Sequence, residues 1–155
     1  MAASAVKLVP ASPAHVGRLA NRMREIDAAE CAARGHAPKQ SLRLALRASV
    51  WSVTAMIDGD PHAMFGIAPV SVVADRGCPW FLGSDAVLAH GRDLLTLGPL
   101  VLGRMHASFA RLENSVSVEN GKALRLLARW GFSVGDEVHE VGGMLFRKFW
   151  RESHV

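Results

Sequence analysis

The side chains able to do chemistry are sparse and scattered in this 155-residue chain. Its seven histidines lie too far apart for a metal-ligand motif, and Cys31 and Cys78 are too widely separated to form a paired one. The two thiols leave one disulfide pairing, which a reducing compartment disfavours, or two free thiols filling core space. No Ser/His/Asp spacing, phosphate-binding Gly-rich loop or paired-carboxylate spacing stands out, so nucleophilic and metal mechanisms are not indicated and no metal is expected. What remains is local. Ser84-Asp85, after an apolar run, could cap a turn. His90 and Arg92 could hold a phosphate or belong to an exposed loop. Asn120 stands where a side-chain oxygen caps a following helix. Trp80, Phe81, Trp130 and Phe132, at strand or helix ends, could line a ligand cleft or fill core.

These positions need a scaffold, whose elements can be read from the pattern. Half of the residues are hydrophobic and 21% are charged, the balance of a packed chain rather than a disordered one. At this length a single domain over 1–155 is expected. Val6–Val9 is a short apolar strand, and Ser12-Pro13 supplies an N-cap and a first-turn proline. Val16, Leu19, Ala20, Met23 and Ile26 recur at helical spacing, with Gly35 closing that helix or a short continuation of it. Lys39–Ala48 reads as a second helix. Three antiparallel strands follow, Val50–Met56, His62–Val70 and Cys78–Leu82, the first two joined at Asp58-Gly59 and the last ending at Gly83-Ser84-Asp85. Gly91–Phe109 is helical, bent or divided at Pro99. Asn114–Val118 reads as a strand, Lys122–Trp130 as a helix closed by Gly131, and Val138–Phe149 as a hairpin turning at Gly142-Gly143. The aromatic end of that hairpin, Phe149-Trp150, is read as a subunit contact or as docking on the same domain.

The longest apolar stretch, Leu94–Leu102, is interrupted by Thr96, Gly98 and Pro99 and falls short of the ~20 residues a spanning helix needs, so no membrane span is expected. Met1–Val9 does not read as a secretory signal, and a cytoplasmic protein is expected. The net charge of +4 comes from arginines scattered between Arg18 and Arg151 among acidic residues. That pattern predicts a solvated basic surface rather than a nucleic-acid groove.

The order strand, two helices, three-stranded meander, helix, strand, helix, hairpin resembles that of the GNAT acyltransferase superfamily over nearly the whole chain. Val9-Pro10-Ala11-Ser12-Pro13 looks like the family's opening, and Asn120 through Phe132 resembles its late motif of Asn, Ala three residues on, and a helix ending in Gly-Phe. The resemblance implies an α/β (α+β) fold, a mostly antiparallel mixed sheet of six or seven strands with about four helices. It also implies an acetyl-CoA or other acyl-CoA donor, with Leu82, Ser84, Gly91, Arg92 and Asn120 as its binding residues. An acyltransferase needs a base for the amine and an acid for the leaving thiolate. Glu119, Asp85 and Glu113 are the carboxylates in the right region, with Glu119 and Asp85 as the catalytic candidates.

Two departures weigh against turnover. The family's Arg/Gln-x-x-Gly-x-Gly/Ala phosphate turn is replaced by Asp85 through Asp93, with one glycine, one arginine and two acids where phosphates would sit. Leu127 stands where many members carry a tyrosine, and the chain has no tyrosine at all. A narrower likeness, Cys78-Pro79-Trp80-Phe81-Leu82-Gly83-Ser84-Asp85 with Asn114–Asn120 and Gly131-Phe132, resembles a phage-encoded GNAT-like family. That family includes a small internal virion protein of short-tailed coliphages. On this likeness the expected function is a non-catalytic phage or prophage protein of virion assembly or genome delivery. Its expected partners are other phage structural proteins or itself, and it would be found in the producing cell or the virion. The alternative is an acetyl-CoA-dependent N-acyltransferase with an altered donor loop and an unknown amine substrate.

Overall fold

Where the sequence places Ser12 before Pro13, the chain turns into its first helix. Ser12 Oγ accepts from Ala14 N at 3.2 Å, and His15 Nδ1 accepts from Ser12 N at 3.3 Å, so two otherwise orphaned amides are satisfied. The computed structural model describes residues 5–153, so the reading of Met1–Val9 begins outside the described residues. β1 (Lys7–Pro10) leads into α1 (Pro13–Asn21), α2 (Glu25–Ala33) and α3 (Pro38–Ala48). The meander β2 (Trp51–Ile57), β3 (Asp60–Ser71) and β4 (Arg76–Gly83) follows, then α4 (Asp85–Ala89) and α5 (Gly91–Ser108). β5 (Arg111–Ser117), α6 (Gly121–Arg129), β6 (Ser133–Val141) and β7 (Met144–Glu152) complete the described chain.

All seven strands join one sheet in the order β1-β2-β3-β4-β5-β7-β6, antiparallel except for β4 against β5. Side chains alternate across it, as the two-residue strand period requires. Met64 packs with Val16, Leu19 and Leu42 of α1 and α3, whereas Ala63 and Phe65 pack with Val87 of α4 and Leu94 of α5. Below α5 and α6, Ile67, Leu102, Met105, Leu112, Val116, Phe132 and Phe149 form a third cluster. The sheet therefore lies between a layer of α1–α3 and a layer of α4–α6.

Among the described residues six helices stand where about four were expected. The continuation toward Gly35 is a separate helix, because Arg24 N bonds Gly83 O at the end of β4 at 2.8 Å instead of continuing α1. The short α4 occupies a stretch to which the sequence pattern assigned no element. Pro99 interrupts α5 without dividing it. β5 runs from Arg111 to Ser117, where Asn114–Val118 was expected, so Asn120 lies beyond the strand. The expected turns are in place, with Asp58 and Gly59 both left-handed at φ 51° and 81° and Gly142 and Gly143 at 57° and 83°.

β4 and β5 pair only at Arg76↔Arg111 and Gly77↔Leu112, and then separate. The next β4 residue whose backbone faces β5 is Pro79, which has no N–H to donate, so the ladder cannot continue through it. The Asn114 side chain crosses the gap there, Nδ2 donating to Pro79 O at 2.7 Å.

Candidate active site

Two strands that part company expose backbone groups, and each needs a partner. Ser84 N bonds His62 O at 2.7 Å on the β3 side, so the alternation of β4 turns Pro79, Phe81 and Gly83 toward β5. The same reasoning, from Val118 N on Leu145 O, turns Ser115 and Ser117 of β5 toward β4. Gly83 N–H donates to Asp27 Oδ2 at 3.0 Å, and Gly83 O accepts from Arg24 N. Ser115 N–H donates to Asn114 Oδ1 at 2.7 Å, and its carbonyl accepts from Arg34 Nη2 at 3.0 Å. Ser117 N–H donates to Glu30 Oε1 at 3.0 Å, and its carbonyl accepts from Asn120 N. Along β4, the N–H and C=O of Phe81 face the gap and have no partner among the described residues.

The groups that hold these edges come mostly from α2 and the two arginines that flank it. Asp27 and Glu30, one helical turn apart, share a face of that helix, and Arg24 precedes it. Arg24 Nη2 donates to Asp27 Oδ1 at 2.7 Å and to Asn120 Oδ1 at 3.3 Å, while Asn120 Nδ2 donates to Glu30 Oε1 at 3.2 Å. All four residues are buried. Burial raises the pKa of Asp27 against the opposing pull of Arg24 and the Gly83 amide. Burial likewise raises Glu30 against the bonds from Ser117 and Asn120. Both Asp27 oxygens are committed to protein donors, whereas Glu30 Oε2 accepts from no described residue.

The gap opens into a continuous cavity of about 350 Å³ whose walls come from both helical layers. On one side stand Cys31, Leu44, Ala45, Trp80 and Leu82, and on the other Phe81, Leu94, Val101, Leu127 and Trp130, with Asp27, Glu30 and Asn120 between. Phe65 and Phe81 stack at 5.8 Å between ring centres and stiffen the open strand. Gly98 of α5 gives Trp130 its room, since a Cβ there would lie 2.1 Å from the indole nitrogen. That nitrogen is buried and has no partner among the described residues, which leaves a free donor in the cavity wall.

The sequence-predicted residues fall into three groups. Leu82 and Asn120 line the cavity, and Asn120 also caps α6 through Oδ1 on Ala123 N at 3.3 Å. Asp85 and Glu119 line, again with Asn120, a second and more open cavity of about 580 Å³. Ser84, Gly91, Arg92 and Glu113 line neither cavity. Ser84 precedes α4 but makes no capping bond. Its Oγ instead lies 2.8 Å from His62 Nδ1, and His62 Nε2 lies 3.0 Å from Arg22 Nη1. A guanidinium can only donate, so Nε2 is the acceptor and the His62 proton sits on Nδ1, pointing at the serine oxygen. His62 therefore cannot take the Ser84 proton. Glu113 pairs with Arg76 at 3.1 Å, and Asp93 holds β1 by accepting from Val6 N at 3.1 Å. Burial raises both thiols, Cys78 to about 11, so neither is a thiolate at neutral pH. Among the described residues no group of three His, Cys, Asp or Glu could hold a metal, and no helix is long and apolar enough to cross a membrane.

Sequence reasoning missed Arg24, Asp27 and Glu30. The local pattern does not mark them, because α1 and α2 are separate helices and the spacing of Val16, Leu19 and Met23 does not carry over to Glu30.

No protein-family model matches the chain, and no curated protein matches its sequence. Solved structures do. Ard1 from Thermoplasma volcanium superposes with a TM-score of 0.71 at 14% identity, covering 97% of this chain and 99% of that one. The ribosomal-protein-alanine N-acetyltransferase from Brucella melitensis gives 0.67 at 12%, covering 95% and 99%. The spermidine N-acetyltransferase from Vibrio cholerae, in complex with CoA and spermine, gives 0.65 at 11%, covering 95% of each. The protein has the GNAT N-acetyltransferase fold.

Proposed function

We propose that the protein is an N-acyltransferase that moves an acyl group from an acyl-CoA to an amine, with Glu30 as the base. The observation that carries this reading is the single cavity running through the divided sheet, walled by both helical layers, so that a donor and an acceptor can meet from opposite sides. Three features fit the thioester arm of a donor. Phe81 offers a free N–H and C=O on a strand edge, Trp130 Nε1 is an orphaned donor in the wall, and the walls are largely apolar. The phosphate end fits less well, because α4 carries Asp85 in its first turn and Asp93 is tied to β1. The donor is therefore read as held mainly by its pantetheine arm.

Bound there, it supplies the carbonyl carbon that the amine attacks. Glu30 lies in the same cavity with one oxygen that no described residue holds, and burial raises its pKa, which makes it a better proton acceptor than an ordinary carboxylate. Transfer makes one C–N bond and breaks one C–S bond. Of the two protons that an ammonium must lose, one goes to Glu30 Oε2 and the other leaves with the thiol, the chain having no tyrosine to supply it.

Acetyl-CoA at millimolar concentration is expected to raise the melting temperature by several degrees, since a ligand of the native state stabilises it. It should also release free thiol when amines are added. Neither a shift nor thiol release across a panel of amines would remove the reading. A second reading, a GNAT-fold scaffold without turnover, is favoured by the missing tyrosine and by the closure of the Gly83 and Ser117 edges by α2. It predicts no thiol release. The virion role implied by the narrower likeness draws no support from the structures that this chain resembles.

A further inference from the structure

The cavity also carries information about the amine, on the premise that the acyltransferase reading holds. Among the described lining residues the carboxylates are Asp27 and Glu30, and Asp27 is fully committed. One free anionic oxygen matches one ammonium. Of the lining arginines, Arg24 is paired with Asp27 and Arg34 donates to Ser115 O, so the described lining offers the second and third charges of a polyamine no free carboxylate. On the α2 and α3 side the apolar part of the wall is Leu44 and Ala45 of α3 with Trp80 and Leu82 of β4, beside Asp27 and Glu30 of α2 and Ser41 of α3, and Leu44 is exposed over 41% of its surface.

A polypeptide acceptor meets a different obstacle. An extended chain binds by pairing its backbone with a strand edge, and here the facing edges of Gly83, Ser115 and Ser117 are already bonded by α2, Arg34, Asn114 and Asn120. The side toward the last hairpin is shut as well. A Cβ on Gly142 would lie 2.2 Å from the Ala33 carbonyl oxygen, so the hairpin tip rests directly on the end of α2. We propose that the acceptor is a small primary monoamine on an apolar body, entering between α2 and α3 with its nitrogen against Glu30 Oε2.

Desolvation then helps the chemistry. An ammonium and a carboxylate enclosed by apolar walls are both destabilised, and one proton transfer leaves a neutral acid and a nucleophilic amine.

The test uses phenethylamine, spermidine and an alanine-terminated peptide, with wild type, Glu30→Gln and Leu44→Arg. Two readouts are taken: the melting shift from each amine alone, and thiol release with acetyl-CoA. Phenethylamine is expected to raise the melting temperature of wild type and to lose that effect in Leu44→Arg, a substitution at an exposed site that the fold tolerates. Its kcat/KM should exceed those of spermidine and the peptide by about tenfold or more. Leu44→Arg should raise its KM by about tenfold and leave the acetyl-CoA shift in place. Preference for spermidine or the peptide, or a phenethylamine shift that is absent or indifferent to Leu44→Arg, overturns the proposal. If acetyl-CoA shifts the melting point while phenethylamine neither binds nor reacts, the amine assignment falls and the acyltransferase reading stands. If acetyl-CoA does nothing while the phenethylamine shift behaves as described, the amine site stands and the transfer reading falls.

Discussion

Glu30→Gln is expected to keep the fold and lower kcat/KM by about 10²- to 10⁴-fold, the usual contribution of a positioned general base. The glutamine carbonyl can still accept from Ser117 N and Asn120 Nδ2, so the closure of the β5 edge survives while the proton acceptor is lost. The pH dependence separates this from a packing defect. Glu30 titrates above its ordinary 4.5 because burial penalises its charge. The ratio of wild-type to variant kcat/KM should therefore rise with pH through that elevated value. Stability moves in the opposite sense. A carboxyl with a raised folded pKa contributes fully below 4.5, and that contribution is lost as pH climbs through the folded value. The variant carries no such loss, so its melting temperature minus that of wild type should increase with pH across this window. A difference that shrinks with rising pH, followed by scanning calorimetry, would contradict the assignment.

The largest stability effect is expected at Asp27. Removing its carboxylate in Asp27→Ala leaves Arg24 as an unpaired charge and Gly83 N–H without its acceptor, with side-chain exposures of only 6% for Arg24 and 3% for Asp27. Breaking a buried pair from one side costs about 3–5 kcal/mol, and in a chain of this size each kcal/mol moves the melting temperature by about 2–4 °C. A fall of about 6–20 °C follows. The double replacement Arg24→Met with Asp27→Leu should recover much of the loss, because it strands no charge. Urea unfolding of the three proteins gives the comparison. A loss below about 1 kcal/mol in Asp27→Ala would place the pair outside the set of interactions that hold the divided sheet.

Local chemistry made much of this fold legible. Asp58-Gly59 and Gly142-Gly143 can take left-handed backbone, and Asn120 through Phe132 combines a side-chain cap with a left-handed Gly131 at φ 82°. The division of the sheet was not read from Pro79, although its missing N–H on the inner side of the strand stops the ladder there. The break between α1 and α2 was not legible, because a bond from Arg24 to the distant Gly83 causes it. Glu30 was hidden for a related reason: an acid on a helix reads as solvated until the tertiary fold brings Ser117 and Asn120 against it. Asp85 and Glu119, chosen by position near the family motifs, line the outer cavity, and the innermost carboxylates come from a helix that those motifs do not include.

The central claim is that the space between β4 and β5 receives the thioester arm, and amide hydrogen exchange at Phe81 tests it most directly. In the free protein this amide faces the gap without a partner among the described residues and should exchange quickly. Saturating acetyl-CoA should slow it by about tenfold or more, as expected when an amide gains a lasting acceptor. Unchanged exchange at Phe81, with the ligand demonstrably bound and protection appearing elsewhere, would contradict the account.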